Sequence, residues 1–202
     1  FQVMTQLRQS ERRSGKTVVK AVHKDGDFAI AAGIGFAPED RKEEALLLLQ
    51  SIVDNAVLCV PDQGSNGGFF NRSKALDLIG GVSKQMRLKA ASLDAPVTSL
   101  SGGNQQKVVL TRWLACDLKV LILDEPTRGI DVGAKAEIYD LIRQLTRQGL
   151  GVIVISSEMP ELLGLSDRIL VMFKGRIVAE YAPHDSAPDK AAIGLAMAGA
   201  AA

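Results

Sequence analysis

Four apolar residues, Val120-Leu121-Ile122-Leu123, stop abruptly on Asp124-Glu125-Pro126, and a second run, Val152-Ile153-Val154-Ile155, follows a stretch of helical periodicity. Within residues 134–148, Ile138, Leu141, Ile142 and Leu145 share one helical face, while Lys135, Glu137, Asp140, Arg143 and Arg147 take the others. Gly149 stands where a C-terminal cap belongs. Two short apolar strands joined by a crossover helix form a βαβ unit, whose strands pair in parallel and are buried on both faces. The chain is therefore expected to be α/β, with a parallel sheet at its core.

The flanks are less regular. Residues 169–173 and 176–181 flank Lys174-Gly175 and read as a hairpin at the sheet edge. The tail from Pro183 reads as a helix followed by a frayed end. Residues 33–37 form a short strand that runs into the charged loop Pro38-Glu39-Asp40-Arg41-Lys42, and residues 62–71 are rich in Gly and Asn, as a mobile connection would be. A helix over 73–88 carries Leu76, Ile79 and Val82, although Gly80-Gly81 weakens it. No internal repeat or linker divides the 202 residues, which suit one domain with a helical insertion.

Composition narrows the function. A net charge of +1 argues against a broad nucleic-acid footprint, and 4% aromatic residues leave little for base stacking or an aromatic sugar cleft. Cys59 and Cys116 are too few and too scattered for a disulfide framework or a zinc site, so a reducing cytoplasm is the default. No apolar run approaches a membrane span and no signal-peptide pattern opens the chain, so any membrane role is that of a peripheral subunit.

The chemistry concentrates in Leu100-Ser101-Gly102-Gly103-Asn104-Gln105-Gln106-Lys107 and in Asp124-Glu125. Two glycines after Ser101 leave backbone N–H groups open to close approach. A helix starting there, capped by Ser101, aims those groups and its positive dipole end at an anion such as a terminal phosphate. Asp124 at the end of a buried strand can hold Mg²⁺, directly or through water, and Glu125 stands where it can polarise an attacking water. Either motif alone could be a helix cap or a strand end. Their order, ahead of Thr127-Arg128-Gly129-Ile130-Asp131, favours the functional reading.

This stretch resembles the signature motif, Walker B and D-loop of ABC ATPases. Gly33-Ile34-Gly35-Phe36-Ala37-Pro38-Glu39-Asp40-Arg41-Lys42, Gly103-Asn104-Gln105-Gln106-Lys107, Pro126-Thr127-Arg128-Gly129-Ile130-Asp131-Val132-Gly133-Ala134-Lys135 and Ser156-Ser157-Glu158-Met159-Pro160-Glu161 are similar to the second nucleotide-binding half of the fused ATPases of bacterial sugar importers (ribose, galactose and arabinose types). The likeness covers residues 31–181. It implies a P-loop NTPase-like parallel core with a helical signature-motif subdomain, divided as 1–48 N-terminal strands and Q-loop equivalent, 49–116 helical subdomain, 117–182 Walker B, D-loop and switch-loop core, and 183–202 tail. It also implies ATP and Mg²⁺ as cofactors. Glu125, Ser157 and Glu39 are then the catalytic candidates, Ser101, Gly102, Gly103, Asn104, Gln105 and Asp131 the nucleotide-binding ones, and Asp124 the metal ligand.

Three departures qualify the resemblance. Glu39 stands where most ABC domains carry Gln, and Ser157 where they carry the His that contacts the γ-phosphate. Ser14-Gly15-Lys16-Thr17 resembles the tail of a phosphate loop, but Ser10 replaces the required glycine and the strand-like Val18-Val19-Lys20-Ala21-Val22 follows. In the family that loop would lie just before Phe1, so a domain truncated at its N-terminus is expected. The resemblance implies a degenerate site of its own and a signature motif donated in trans to a first nucleotide-binding half or second ABC domain. Membrane permease subunits, and indirectly a sugar-binding protein, would be partners, on the cytoplasmic face of a bacterial inner membrane, without nucleic acid. A non-transport ABC ATPase and a non-catalytic fragment are the alternatives. Glu158 and Glu161 read as solvated helix-start charges, His23 and His184 as solvated histidines and Trp113 as core, while Arg128 could pair with a partner or face solvent.

Overall fold

The structure, a computed structural model, describes residues 3–7, 26–60, 65–66, 69–182 and 190–199. Its strands are β1 (Val3–Leu7), β2 (Ile34–Ala37), β3 (Ser65–Asn66), β4 (Phe69–Phe70), β5 (Val120–Asp124), β6 (Gly151–Ser156), β7 (Arg168–Phe173) and β8 (Arg176–Tyr181). Its helices are α1 (Gly26–Ala31), α2 (Ile52–Ala56), α3 (Arg72–Gln85), α4 (Gly102–Leu114), α5 (Val132–Arg147), α6 (Met159–Leu165) and α7 (Lys190–Met197).

The crossover read from the sequence is present. β5 and β6 run parallel, with Leu121 opposite Val152 and Leu123 opposite Val154, and β2 pairs parallel with β5 on its other side. β1 lies between β6 and β7, antiparallel to both, so the order β2-β5-β6-β1-β7-β8 makes a mixed sheet around the parallel core. β7 and β8 form the edge hairpin. Its turn residues, Lys174 and Gly175, both take positive φ, 47° and 76°, the backbone twist that a two-residue hairpin favours.

Asp131 caps α5 by accepting from the Ala134 N–H, and Gly149 ends it at φ 101°. The apolar face of α5 (Ile138, Leu141, Ile142, Leu145) is buried with Leu121 and Leu123 of β5, Val152 and Val154 of β6 and Val108 to Leu110 of α4. Burying each such side chain contributes roughly 2 kcal/mol. Burial along β5 and β6 alternates, however. Ile122, Ile153 and Ile155, on the opposite face, are only half-buried, where the continuous apolar runs suggested cover on both sides. α7 and α6 pack on β7, with Ile193, Ala196 and Leu162 against Ile169 and Val171.

Other local readings shift. The charged loop after β2 is part helix: Asp40 accepts from the Lys42 and Glu43 N–H groups and starts a single wide helical turn, Arg41–Ala45. The Gly/Asn-rich stretch contains the small β3-β4 ladder. α3 runs through Gly80 and Gly81, ending at Gln85. The strand-like residues 18–22, Ser14 to Thr17, His23 and His184 lie outside the described residues. Among the described residues, no helix is long and apolar enough to cross a membrane.

One buried charge ties α4 to α5. Lys107, 2% exposed, places its Nζ 2.6 Å from Glu137 Oε2 and 3.1 Å from the Arg87 carbonyl. Hydrogen bonds from Lys107 and then Lys89 hold the Glu137 carboxyl below the usual carboxylate range. A carboxylate whose folded pKa is depressed contributes stability above its unfolded pKa and loses it as pH falls. Glu137→Gln is expected to lower stability by about 2 kcal/mol at pH 7, because it strands Lys107 next to a neutral group. The difference from wild type should shrink as pH falls below about 4, where the carboxylate protonates first in the unfolded state and, at lower pH, in the folded one. Urea unfolding of both proteins across this pH range checks it, and a difference independent of pH would assign the effect to packing.

Candidate functional site

The side-chain-free start of α4 is used for close packing. Ser101 caps the helix, and its Oγ receives the Asn104 amide at 3.1 Å. A Cβ added at Gly103 would stand 2.8 Å from the Ala134 Cβ of α5. One at Gly102 would stand 2.8 Å from Arg41 Nη2 and 3.2 Å from the Gly129 carbonyl. Real Cβ atoms do not approach so closely, so both positions exclude other residues unless a neighbour moves. The two glycines thus bring the first turn of α4 against the first turn of α5 and the loop between β5 and α5.

Arg41 fixes that junction. Its Nη1 donates to the Arg128 carbonyl at 2.7 Å and its Nη2 to the Gly129 carbonyl at 3.3 Å, with the guanidinium only 9% exposed. Burial pushes its pKa down against the opposing charge of Asp40. The Arg128 side chain, still largely exposed, pairs with Glu39 of the same chain and so engages a candidate catalytic carboxylate. A pocket of about 260 Å³ lies here, lined by Glu39, Asp40, Arg41, Lys42, Arg128 and Gly129.

The second cluster sits at the ends of β5 and β6. Glu125 takes φ 43°, a left-handed conformation costing a non-glycine residue roughly 1–2 kcal/mol. Two bonds hold it: its N–H donates to the Ile155 carbonyl at 2.8 Å, and its Oε1 accepts from the Ser157 N–H at 2.8 Å. Asp124 beside it has a buried Oδ1 with no hydrogen-bond partner. Burial, and then the charges of Glu125 and Glu44, push the Asp124 carboxyl up. A cation would relieve both penalties, so the donor set fits Mg²⁺. Among the described residues, no group of three or more His, Cys, Asp or Glu side chains could hold a metal ion alone. Asp124 could therefore supply one oxygen, with water and phosphate supplying the rest.

The sequence candidates thus fall into two groups. Glu125, Asp124 and Ser157 come together. Gly102 and Gly103 meet the loop that carries Arg128, Asn104 bonds Ser101 and the Lys89 N–H, and among the described residues no hydrogen bond or ion pair joins Ser101, Gly102 or Gly103 to Asp124 or Glu125. Gln105 turns inward: it is 6% exposed, its Nε2 donates to the Val97 and Leu100 carbonyls and its backbone N–H to the Ser101 carbonyl, which leaves a ligand no free donor there. Asp131 spends its side chain as the α5 cap. Trp113 packs against the core, its ring accommodated by Gly35 of β2.

Of the two helix-start acids, Glu158 keeps its solvent exposure and Glu161 does not. Glu158 pairs with Lys135. Glu161 is 1% exposed; Thr127 Oγ1 donates to its Oε1 at 3.0 Å, and its Oε2 is buried without a partner. Burial raises its pKa against the hydroxyls of Ser156 and Thr127. It lies one turn into a short helix, where an acidic residue ordinarily meets solvent and the helix dipole, so no local signal marked it.

The sequence model of the ABC transporter family matches residues 7–128, more than half of the chain. A ribose import ATP-binding protein, RbsA 2, of Mesorhizobium japonicum is 66% identical over 157 residues, covering 78% of this chain and 31% of its own. A xylose import ATP-binding protein, XylG, of Geobacillus kaustophilus is 48% identical over 162 residues, covering 80% and 32%. The chain spans about a third of the length of these relatives. Among solved structures, the ADP conformation of an ATP-binding cassette of an ABC transporter superposes with a TM-score of 0.68 at 19% identity, covering 88% of this chain and 69% of that one. A dimeric post-hydrolysis cassette bound to ADP and phosphate gives 0.61 at 24% identity, covering 78% and 67%. These two likenesses show the α/β cassette fold.

The position of Glu161 predicts a gain from neutralising it. A carboxyl whose folded pKa is raised destabilises the fold above its unfolded pKa, and the penalty fades as pH falls. Glu161→Gln keeps an acceptor for Thr127 and removes the buried charge. Its urea midpoint is expected to exceed that of wild type at pH 7 and to converge on it towards about pH 4. A lower midpoint at neutral pH would mean that the carboxylate itself holds this loop.

Proposed function

Because this chain belongs to the ABC transporter ATP-binding family, we propose that it is part of an ATPase subunit whose nucleotide-driven closure against a second cassette powers import of a small sugar through membrane permease subunits. The sugar class follows relatives named for ribose and xylose import, and the peripheral place at the cytoplasmic face of the membrane follows from that role. The observation that carries the ATPase reading is the unpartnered, buried Asp124 oxygen beside a Glu125 held in a strained conformation.

In this reading Asp124 holds the magnesium, which when bound offsets the charge of the nucleotide phosphates. Glu125 orients a water through the oxygen that Ser157 leaves free. Ser157 contributes its backbone N–H to Glu125 but has no imidazole for a γ-phosphate, and Glu39 is drawn to Arg128. Both features favour a site of low turnover. The first-turn N–H groups of α4 have no intrahelical acceptors, and with the helix dipole they suit a phosphate. With Ser101 and Asn104 they would serve a nucleotide held by the partner cassette.

Two variants of the full-length protein test this division of labour. Gly102→Asp puts a carboxylate at the anion-binding turn, against Arg41, and should lower steady-state ATP hydrolysis by about 100-fold or more, the scale of losing oxyanion-type donors. Glu125→Gln should cost less than about 10-fold, since it alters only the low-turnover site. If Glu125→Gln is the more damaging change, this part of the protein hosts the working site. Wild-type protein that hydrolyses no ATP at all would remove the ATPase reading itself.

A further inference from the structure

The two cysteines, 57 positions apart, meet in space. Cys59 lies in the turn after α2 and Cys116 just past the end of α4, and both are partly exposed. Cys116 Sγ stands 3.8 Å from the Cys59 carbonyl and 3.6 Å from the Arg112 carbonyl. Their surroundings from α2 and α3 are apolar, with Val53, Ala56, Ala75 and Ile79 forming the adjoining cluster.

The charge that faces this pair is Arg112. Its guanidinium is 7% exposed, its Nε donates to the Asn55 carbonyl at 2.8 Å and its Nη2 reaches Asn55 Oδ1 at 3.4 Å. Both acceptors are neutral, and among the described residues Arg112 makes no ion pair. A buried cation without a carboxylate favours any neighbour that can become an anion. Here the neighbours are thiols.

We propose that Cys59 and Cys116 form a redox modification site, at which Cys59 attacks a small-molecule disulfide and Cys116 then closes an intramolecular disulfide. The Cys116 S–H donates to the Cys59 sulfur, and with the Arg112 charge this draws the Cys59 pKa to about 7 against the effect of burial. The same hydrogen bond, burial and the Cys59 charge push Cys116 up, so it stays protonated while Cys59 attacks. In the first step the Cys59 thiolate bonds to one sulfur of oxidised glutathione, the glutathione S–S bond breaks, and one glutathione thiolate leaves. Cys59 then carries no charge, and Arg112 favours ionisation of Cys116. Cys116 loses its proton to water, attacks the Cys59 sulfur and expels the second glutathione. The two protein thiols are oxidised and one glutathione disulfide is reduced to two thiols. The product would strap the turn after α2 to the end of the helix whose first turn carries Ser101, Gly102 and Gly103.

The reduced protein, treated with oxidised glutathione at neutral pH, acid-quenched and mapped by mass spectrometry, should lose two hydrogens and yield one linked Cys59–Cys116 peptide pair. Iodoacetamide should alkylate Cys59 with a midpoint near pH 7 and Cys116 at least about ten times more slowly. Cys116→Ser should stop at a glutathione adduct on Cys59, and Cys59→Ser should acquire none on Cys116 in the same time. Arg112→Gln, which retains a donor for the Asn55 carbonyl, should raise the Cys59 midpoint. Two thiols alkylating alike with an ordinary midpoint near about pH 8.5, or separate adducts that never exchange into a disulfide, would overturn the proposal. The readouts concern thiols alone, so they hold or fail independently of ATP hydrolysis.

Discussion

Two missing side chains hold the middle of the molecule together. With hydrogen atoms at Gly102 and Gly103, the backbone of α4 can lie against Ala134, the Gly129 carbonyl and the Arg41 guanidinium at once. Any larger residue pushes at least one of these contacts apart. The first turns of α4 and α5, and the loop that follows Asp124, are therefore packed as one body, although α4 and α5 belong to separate stretches of chain. That packing also leaves the N–H groups at the start of α4 bare of side chains. The same two glycines thus serve structure and proposed chemistry.

Three buried cations show how differently one domain can accommodate charge. Lys107 has a carboxylate, Glu137, and forms a bridge between helices. Arg41 has backbone carbonyls, whose dipoles engage its two terminal nitrogens without an anion and leave its Nε unpartnered. Arg112 has a carbonyl, an amide oxygen and two thiols. The consequences follow from what each partner can do. A carboxylate responds to acid, a carbonyl responds only to movement of its loop, and a thiol responds to oxidation. Glu161 is the reverse case, a buried anion with hydroxyls and no cation, so it weakens the start of α6.

What could be read from the sequence was local. The strand-helix-strand unit, the caps at Ser101 and Gly149, and the edge hairpin depend on periods of two or 3.6 residues and on turn chemistry carried by neighbouring positions. The resemblance placed Asp124, Glu125 and Ser157 in one site, and the structure joins the last two by a hydrogen bond. What local patterns leave out is long-range. Arg41 sits in a charged loop, yet it reaches carbonyls 87 and 88 positions away. Glu161 and Thr127 are 34 positions apart. The cysteines looked scattered because spacing along the chain says nothing of where helix ends meet. Gln105, quoted as part of a motif, turned out to face inward because the helix start needs only the motif's serine and glycines at its surface.

The stretch containing α2, α3 and α4 leaves the sheet from β2 and returns to it in β5, and these two strands are paired directly, Ile34 with Val120 and Ala37 with Leu123. The Gly33 carbonyl accepts from the Lys119 N–H at 2.7 Å, so the start of β2 and the start of β5 are clasped together, while the chain leaves β2 at the other end of the pair. Such a stretch is an insertion in the topological sense. Its ends lie only a short strand's length apart, at opposite ends of two parallel neighbours, so beyond that return its length is not set by the sheet. Loop-closure entropy rises only slowly with length, so this segment can lengthen, shorten or be replaced by another with little penalty to the strands that bracket it. Variation in sequence and size among cassettes of this architecture should therefore gather between β2 and α4, while β5, α5 and β6 keep their lengths.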